Sequence, residues 1–193
     1  MIADFFGSRN EDTYCIYPVS HPCCDGFAGR LLNSRPGTGE EPALDVQRYF
    51  NGSLEAHGMF QDRSGTVIKR FVVKVACRWD HDIGTLDEDF TYADGSRKKR
   101  VWTLRKVAAG KFIGTAPDVV GEAIGQVSGN ALHWTYVLAL PVDGRIIHVD
   151  FEDWMFLIDS KVMLNRAQMS KFGFSLGAVT LSFNKREEPL KDE

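Results

Sequence analysis

Val67-Ile68-Lys69-Arg70-Phe71-Val72-Val73-Lys74-Val75-Ala76-Cys77-Arg78-Trp79 is the stretch that decides the fold. Val67, Phe71, Val73, Val75, Cys77 and Trp79 share one parity, with Lys69 as the exception, while Arg70 and Lys74 lie on the other. Successive side chains of an extended chain point to opposite faces, so this alternation reads as a strand with one buried and one wet face. Similar signals lie on both sides of it. Leu54 to Phe60 comes before, separated by a turn around Asp62-Arg63-Ser64-Gly65. After it come Thr85 to Tyr92, Lys98 to Lys106, Lys111 to Pro117, Glu122 to Val127, Ala131 to Leu140, Arg145 to Ile158, Val162 to Met169 and Ser175 to Asn184. Asp94-Gly95, Gly129-Asn130 and Asp143-Gly144 have hairpin-turn chemistry, since Gly and Asn accept positive φ cheaply.

No helical period separates these strands, which leaves a meander barrel or a sandwich. Connections of hairpin length favour the barrel, because a Greek-key sandwich needs long crossing connections and closure removes exposed edges. The expectation is an all-β fold, a lipocalin-like up-and-down antiparallel β-barrel of about 8 to 10 strands. Residues 1–44 mix Gly, Pro, Ser and Asn without periodicity and read as an irregular N-terminal extension, ending in the linker-like run Asn33 to Pro42. The barrel domain then spans 45–185, followed by a charged tail over 186–193. At its start Leu44, Val46, Tyr49 and Phe50 can form one short amphipathic turn that plugs or caps the domain.

The 193 residues fit one ordinary domain, and 44% hydrophobic with 25% charged residues suffices for a real core. Lys plus Arg number 23 against 26 Asp plus Glu, a net charge of -3, so no broad positive field is present and nucleic acid is not an expected partner. Cys15, Cys23, Cys24 and Cys77 contain no C-x-x-C pair. Neither a disulfide framework nor a metal site at His21 and its neighbouring cysteines is expected, and no cofactor is implied. Apolar runs such as Met155 to Ile158 are too short for a transmembrane helix, and Asp4, Arg9, Glu11 and Asp12 interrupt any secretory signal. The chain as written is expected in the cytoplasm.

Tyr49-Phe50-Asn51-Gly52 and Gly58-Met59-Phe60-Gln61-Asp62-Arg63-Ser64-Gly65 resemble the start of an uncharacterised bacterial family, the domain of unknown function 3833 family. The resemblance continues through Gly84 to Phe90, Arg100-Val101-Trp102-Thr103-Leu104, Asp118 to Ala123 and Gly129-Asn130-Ala131-Leu132. It ends with Asp153-Trp154-Met155 and Lys171-Phe172-Gly173. It implies no established activity. It implies instead a membrane-anchored periplasmic lipoprotein in a membrane-lipid or envelope context. The first 44 residues depart from the family, because Val19-Ser20-His21-Pro22 is not the small apolar box that precedes a lipidated cysteine. Pro117 also stands where the family pattern suggests a polar residue.

The principal candidate site is an apolar pocket walled by Trp102, Trp134 and Trp154 with Leu132, Tyr136, Phe151 and Phe156, suited to a small apolar ligand or an acyl chain. The competing use of these side chains is simply to fill the barrel. The strand from Arg145 to Ile158 changes phase. Ile147, Val149 and Phe151 are apolar at odd positions, Trp154, Phe156 and Ile158 at even ones. That slip predicts a β-bulge at Glu152-Asp153, which would let Asp150, Asp153 and Asp159 pair with Arg100 or Arg166 or bind a cation, the plainer use being structural ion pairs at the barrel rim. A small lipid-modifying enzyme using the acidic segment around Glu152 and Asp153 with a nearby arginine is one alternative function, and a docking subunit with a filled barrel is another. Asp87-Glu88-Asp89 near Asp118 and Glu122 supply carboxylates of the kind glycoside or ester hydrolysis uses, with Asp87 and Asp89 on one side of the strand and Glu88 pointing away, although a solvated acidic face explains them more simply. No residue is assigned as catalytic. His57, His81, His133 and His148 lack metal-ligand spacing. The run Arg97-Lys98-Lys99-Arg100 offers a possible peripheral membrane contact, extended by Lys161, Arg166 and Lys171 only if the hairpins are neighbours.

Overall fold

A computed structural model describes residues 41–142 and 144–186. One short helix, α1 (Val46–Tyr49), precedes ten strands: β1 (Gly52–Asp62), β2 (Val67–Asp80), β3 (Ile83–Tyr92), β4 (Arg97–Ala108), β5 (Lys111–Thr115), β6 (Ala123–Ser128), β7 (Ala131–Val142), β8 (Arg145–Leu157), β9 (Val162–Lys171) and β10 (Phe174–Lys185). Every strand pairs antiparallel with its neighbour in sequence, and β1 pairs with β10 to close the barrel. The expected all-β, up-and-down barrel is therefore present, with ten strands. Cys15, His21, Cys23 and Cys24, most of the expected N-terminal extension and nearly all of the charged tail lie outside the described residues, as does Asp143.

In β2 the alternation predicted from sequence holds, with Phe71, Val73, Val75 and Cys77 buried. Lys69, the exception, follows the same parity near one end of the barrel. Its stem is largely buried, and its ammonium lies 5.0 Å from the Tyr92 ring centre and 3.8 Å from Asp94. A long cation can thus occupy an inward position where its head escapes at the rim.

Helix α1 seals the opposite end. Asp45 caps it by accepting from the Arg48 backbone N–H, and Leu44, Val46, Tyr49 and Phe50 are all buried. The Tyr49 hydroxyl donates to the Lys161 carbonyl at 3.0 Å, and the Trp79 indole donates to the Phe50 carbonyl at 2.7 Å. The Leu44 backbone N–H donates to the Gly129 carbonyl at 2.9 Å. The short amphipathic turn expected from sequence is the plug of this end.

Strand β8 corrects the sequence reading. Its register to β7 runs unbroken from Arg145 to Phe156 and to β9 from Asp150 to Leu157, so no bulge occurs at Glu152-Asp153. Odd positions face inward throughout: Val149, Phe151, Asp153 and Leu157 are buried, with Met155 packed against the core. The even-numbered aromatics form an outer stripe, where Trp154 stacks on His133 at 4.1 Å and on Phe156 at 6.1 Å between ring centres. Stacking between outer rings covers apolar surface without a change of phase.

β5 and β6 have five and six residues and cover only part of the twelve-residue β4 and β7. Beyond them, segment 116–122 fills the wall. It is held by a bridge between Val119 and Leu138 and by the Ala139 N–H donating to the Asp118 carbonyl at 2.9 Å. This places the Asp118 side chain against β4.

Candidate functional site

Between α1 and the opposite end the barrel encloses a cavity of about 160 Å³. Trp102, Leu132, Trp134, Tyr136 and Phe151, all expected from sequence as pocket walls, line it, and so do Arg100 and Asp153. Trp154, Phe156 and Arg166 do not, because each sits on the outer face of its strand. Arg166 lies directly across the ladder from Trp154, so the proposed pairing of Asp153 with Arg166 is ruled out by opposite side-chain directions. Asp150 is likewise outward, and Asp159 accepts from the Lys161 and Val162 backbone N–H groups in a turn.

Two glycines set the shape of the wall. A Cβ on Gly125 would meet the Trp134 ring at 2.9 Å, and one on Gly114 would meet the Trp102 ring at 3.3 Å. The missing side chains on β5 and β6 let both indoles lie close against the barrel wall. Tyr136 then stacks on Phe151 with 5.1 Å between ring centres and meets Trp102 edge-on at 5.6 Å.

One side of this apolar chamber is polar. Asp153 is 6% exposed and Asn165 2%. The Asn165 amide donates to Asp153 Oδ1 and to the Trp154 carbonyl, and the Tyr136 hydroxyl donates to Asp153 Oδ2 at 3.4 Å. Glu88 and Arg100 are paired residues of the β3–β4 ladder, both on the inner face. The Arg100 guanidinium is nonetheless turned to Asp118, with Nη2 at 3.1 Å from Oδ2, and Lys98 approaches the same oxygen at 3.6 Å. Arg100 also lies 5.7 Å from the Phe90 ring centre and 6.0 Å from that of Trp102. Glu88 Oε2, Arg100 Nε and Asn165 Oδ1 are enclosed without a hydrogen-bond partner.

This wall shifts its own protonation. Burial pushes the Glu88 carboxyl up to about 7, with Arg100 opposing and the Asp118, Asp153 and Asp87 charges adding to the rise. Burial also raises Asp153 to about 6, against the lowering effect of bonds from Asn165 and Tyr136. The Tyr136 phenol is held well above its ordinary range, first by burial and then by the nearby Asp153 charge. Burial lowers Lys98, with Asp118 acting in the opposite direction.

Asn165 is not among the expected site residues, and Glu88 enters the sequence reading only as the member of Asp87-Glu88-Asp89 that points away, yet both line the cavity and the sequence carries the signal. Glu88 shares parity with Leu86 and Phe90, and Asn165 with Met163 and Ala167, so each is a polar residue inside an apolar alternation. Asp87 and Asp89 alternate outward instead, where Lys99 lies 3.3 Å from Asp89. The basic run splits in the same way: Lys98 and Arg100 turn inward while Arg97 and Lys99 stay outside. Lys161 occupies the β8–β9 turn at the α1 end, remote from Arg97 at the start of β4, so the hairpins do not join these charges into one patch. All four described histidines face outward or lie in a turn, with His57 3.5 Å from Glu55, His81 2.7 Å from Asp80 and His133 3.3 Å from Glu152. Among the described residues no three His, Cys, Asp or Glu side chains are grouped to hold a metal.

The family described as protein of unknown function (DUF3833) matches residues 32–185, most of the chain. The chain belongs to that family. No curated protein matches it. Among solved structures, the barrel is similar to the S-type phycobiliprotein lyase CPES from Guillardia theta, with a TM-score of 0.52 and 10% identity over 76% of this chain and 95% of that one. A protein of unknown function from the DUF3598 family of Nostoc punctiforme is also similar, with a TM-score of 0.46 and 12% identity over 77% of this chain and 51% of that one. At such identities the lyase supports a shared barrel fold and nothing about chemistry.

Proposed function

We propose that this family member is a binding protein that takes an apolar molecule, or the end of an acyl chain, into the barrel. The observation that carries the reading is the cavity itself, apolar on most sides and polar on one, in a closed barrel whose end is plugged by α1. Its 160 Å³ is close to the ~150 Å³ apolar cavity known to accept benzene. A ring or a short alkyl group fits whole, and a longer chain would have only its end inside.

The end of the barrel away from α1 supports a setting beside lipid. Phe172 and Phe174, at the β9–β10 hairpin, are 84% and 76% exposed, and Ile146 at the start of β8 is 63% exposed. Lys171 and Arg145 adjoin them in sequence. Exposed aromatic tips flanked by cations suit peripheral contact with an anionic bilayer surface.

Native mass spectrometry of the purified protein, with extraction of any retained small molecule, tests the binding reading. Retained apolar material is the expected result. An empty protein whose tryptophan emission is also unmoved by ethylbenzene would sink the proposal, since Trp102 and Trp134 line the cavity. A small lipid-directed enzyme is the second reading, favoured by one observation: two carboxyl groups raised to about 7 and about 6 in one chamber. Absence of turnover on short-chain esters by a protein that does bind ethylbenzene would remove it.

A further inference from the structure

The polar wall of the cavity carries more chemistry than an orienting contact requires. Asp153 and the Tyr136 hydroxyl satisfy one another, and the Asn165 amide group is spent on Asp153 and the Trp154 carbonyl. The Asn165 orientation follows from these bonds, because its nitrogen faces two acceptors and its oxygen is left turned elsewhere. What remains unpaired among the cavity-lining groups is Glu88 Oε2 and Asn165 Oδ1, two acceptors, against Arg100 Nε, a single donor. Asn165 is 2% exposed, so solvent at the surface does not serve it. An enclosed acceptor without a donor is costly, and a ligand that supplies the donor recovers that cost on binding.

Charge points the same way. Glu88 and Asp153 face the cavity, with Asp118 behind Arg100, so three carboxyl groups meet two cations, Arg100 and Lys98. Both cations are already directed to Asp118. A ligand carboxylate would enter a site whose cations are engaged and whose lining already holds the Glu88 and Asp153 carboxyl groups.

We infer that the barrel selects amphiphiles whose polar end donates hydrogen bonds, a hydroxyl, amide or ammonium group, and discriminates against a free carboxylate. This rests on the binding reading above and deepens it: an acyl chain would be taken as an amide or an alcohol rather than as the free acid. Glu88 and Asn165 are the accepting residues. The phenyl ring suits the cavity size, and it allows a matched series in which only the polar end changes.

The test measures the affinities of phenethyl alcohol, phenethylamine, phenylacetamide and phenylacetate for the full chain at pH 8, by tryptophan emission, with ethylbenzene as the apolar reference. The alcohol, amine and amide are expected to bind about tenfold or more tighter than phenylacetate. In Glu88→Gln, where an amide donor replaces one carboxylate oxygen, the ratio of phenethylamine to phenylacetate affinity should narrow several-fold, and an unchanged ratio would overturn the role given to Glu88. Phenylacetate binding as well as the donors would overturn the inference and leave the cavity reading standing. Failure of all five compounds, ethylbenzene included, would overturn both. The comparison on the unmodified protein does not depend on any variant folding.

Discussion

The two ends of this barrel treat apolar residues in opposite ways. At the α1 end Tyr49 and Phe50 are buried, and their backbone and hydroxyl groups are tied to Trp79 and Lys161. At the other end Phe172 and Phe174 stand out in solvent, and Phe172 holds a positive φ of 52°. A Phe in the left-handed region is conformationally costly where Asn or Gly would serve better. The contrast teaches that the aromatics at the β9–β10 tip lie outside the packed core, although Phe60, Leu140 and Met169 behind them are buried, so the tip is where a selective reason outside folding must be sought.

Breaking the sealed end should give the largest effect. Phe50→Ala removes a buried ring that packs edge-on against Tyr49 and Phe183, and should cost about 3 to 5 kcal/mol in urea unfolding. A loss below about 1 kcal/mol would mean that α1 is not part of the cooperative core.

Next in size is the titration of the chamber between the ends. Glu88 is raised in the folded state from 4.5 to about 7, so the fold binds its proton more tightly than the unfolded chain does. Its favourable contribution is complete below about pH 4.5 and is lost as pH rises through 7. The groups facing it are Cys77 on β2, Arg100 and Lys98 on β4, Asp118, Tyr136 on β7 and Asp153 on β8. Asp153, raised to about 6, adds a loss of the same sign over a lower window. Glu88→Gln should flatten the part between pH 5 and 8 and leave the variant on the order of 2 to 3 kcal/mol more stable than the parent at pH 8. An unchanged pH profile would show that Glu88 does not carry the titration.

Gly125→Ala comes third. The added methyl must displace the Trp134 ring from 2.9 Å, at a cost of about 1 to 3 kcal/mol. The ring can move only toward the cavity, so ethylbenzene binding should weaken with it. Retained binding together with lost stability would mean that the wall relaxes outward instead.

The smallest effect on stability belongs to the exposed end. Phe172→Asn should change unfolding free energy by no more than about 0.5 kcal/mol, in the stabilising direction because Asn accepts the left-handed conformation more readily. The same variant should lose co-sedimentation with anionic phosphatidylglycerol vesicles. Vesicle binding that ignores both Phe172→Asn and Phe174→Ser would assign the exposed end some other partner.

Much of this was legible beforehand. The strands, their hairpin turns and the amphipathic plug come from patterns a few residues long. Five cavity residues, Trp102, Leu132, Trp134, Tyr136 and Phe151, follow from large apolar side chains at inward parity, whereas Arg100 and Asp153 line the cavity without the bulge that the phase change suggests. The failures came from one strand and one habit. In β8 the apolar character of Trp154 and Phe156 predicts burial, but stacking with His133 and with each other accommodates them outside. Charged and amide side chains are ordinarily expected on the wet face, which hides Asn165 and turns Glu88 outward in the sequence reading, whereas here each follows the inward parity of its apolar neighbours.

What the amino-acid order determined by itself is the alternation, since which side of a strand a residue occupies relative to its neighbours follows from local backbone geometry. Only the tertiary structure decided which parity of β8 faces inward, because continuous ladders to β7 and β9 forbid the shift of phase that the apolar pattern suggested. It alone also set the register in which β1 meets β10, with Leu54 opposite Lys185 and Asp62 opposite Gly177. The meeting of Glu88, Arg100, Asp118, Asp153 and Asn165, from four strands and a connecting segment, follows from barrel closure. Closure is a long-range condition on all ten strands together, and no local pattern carries it.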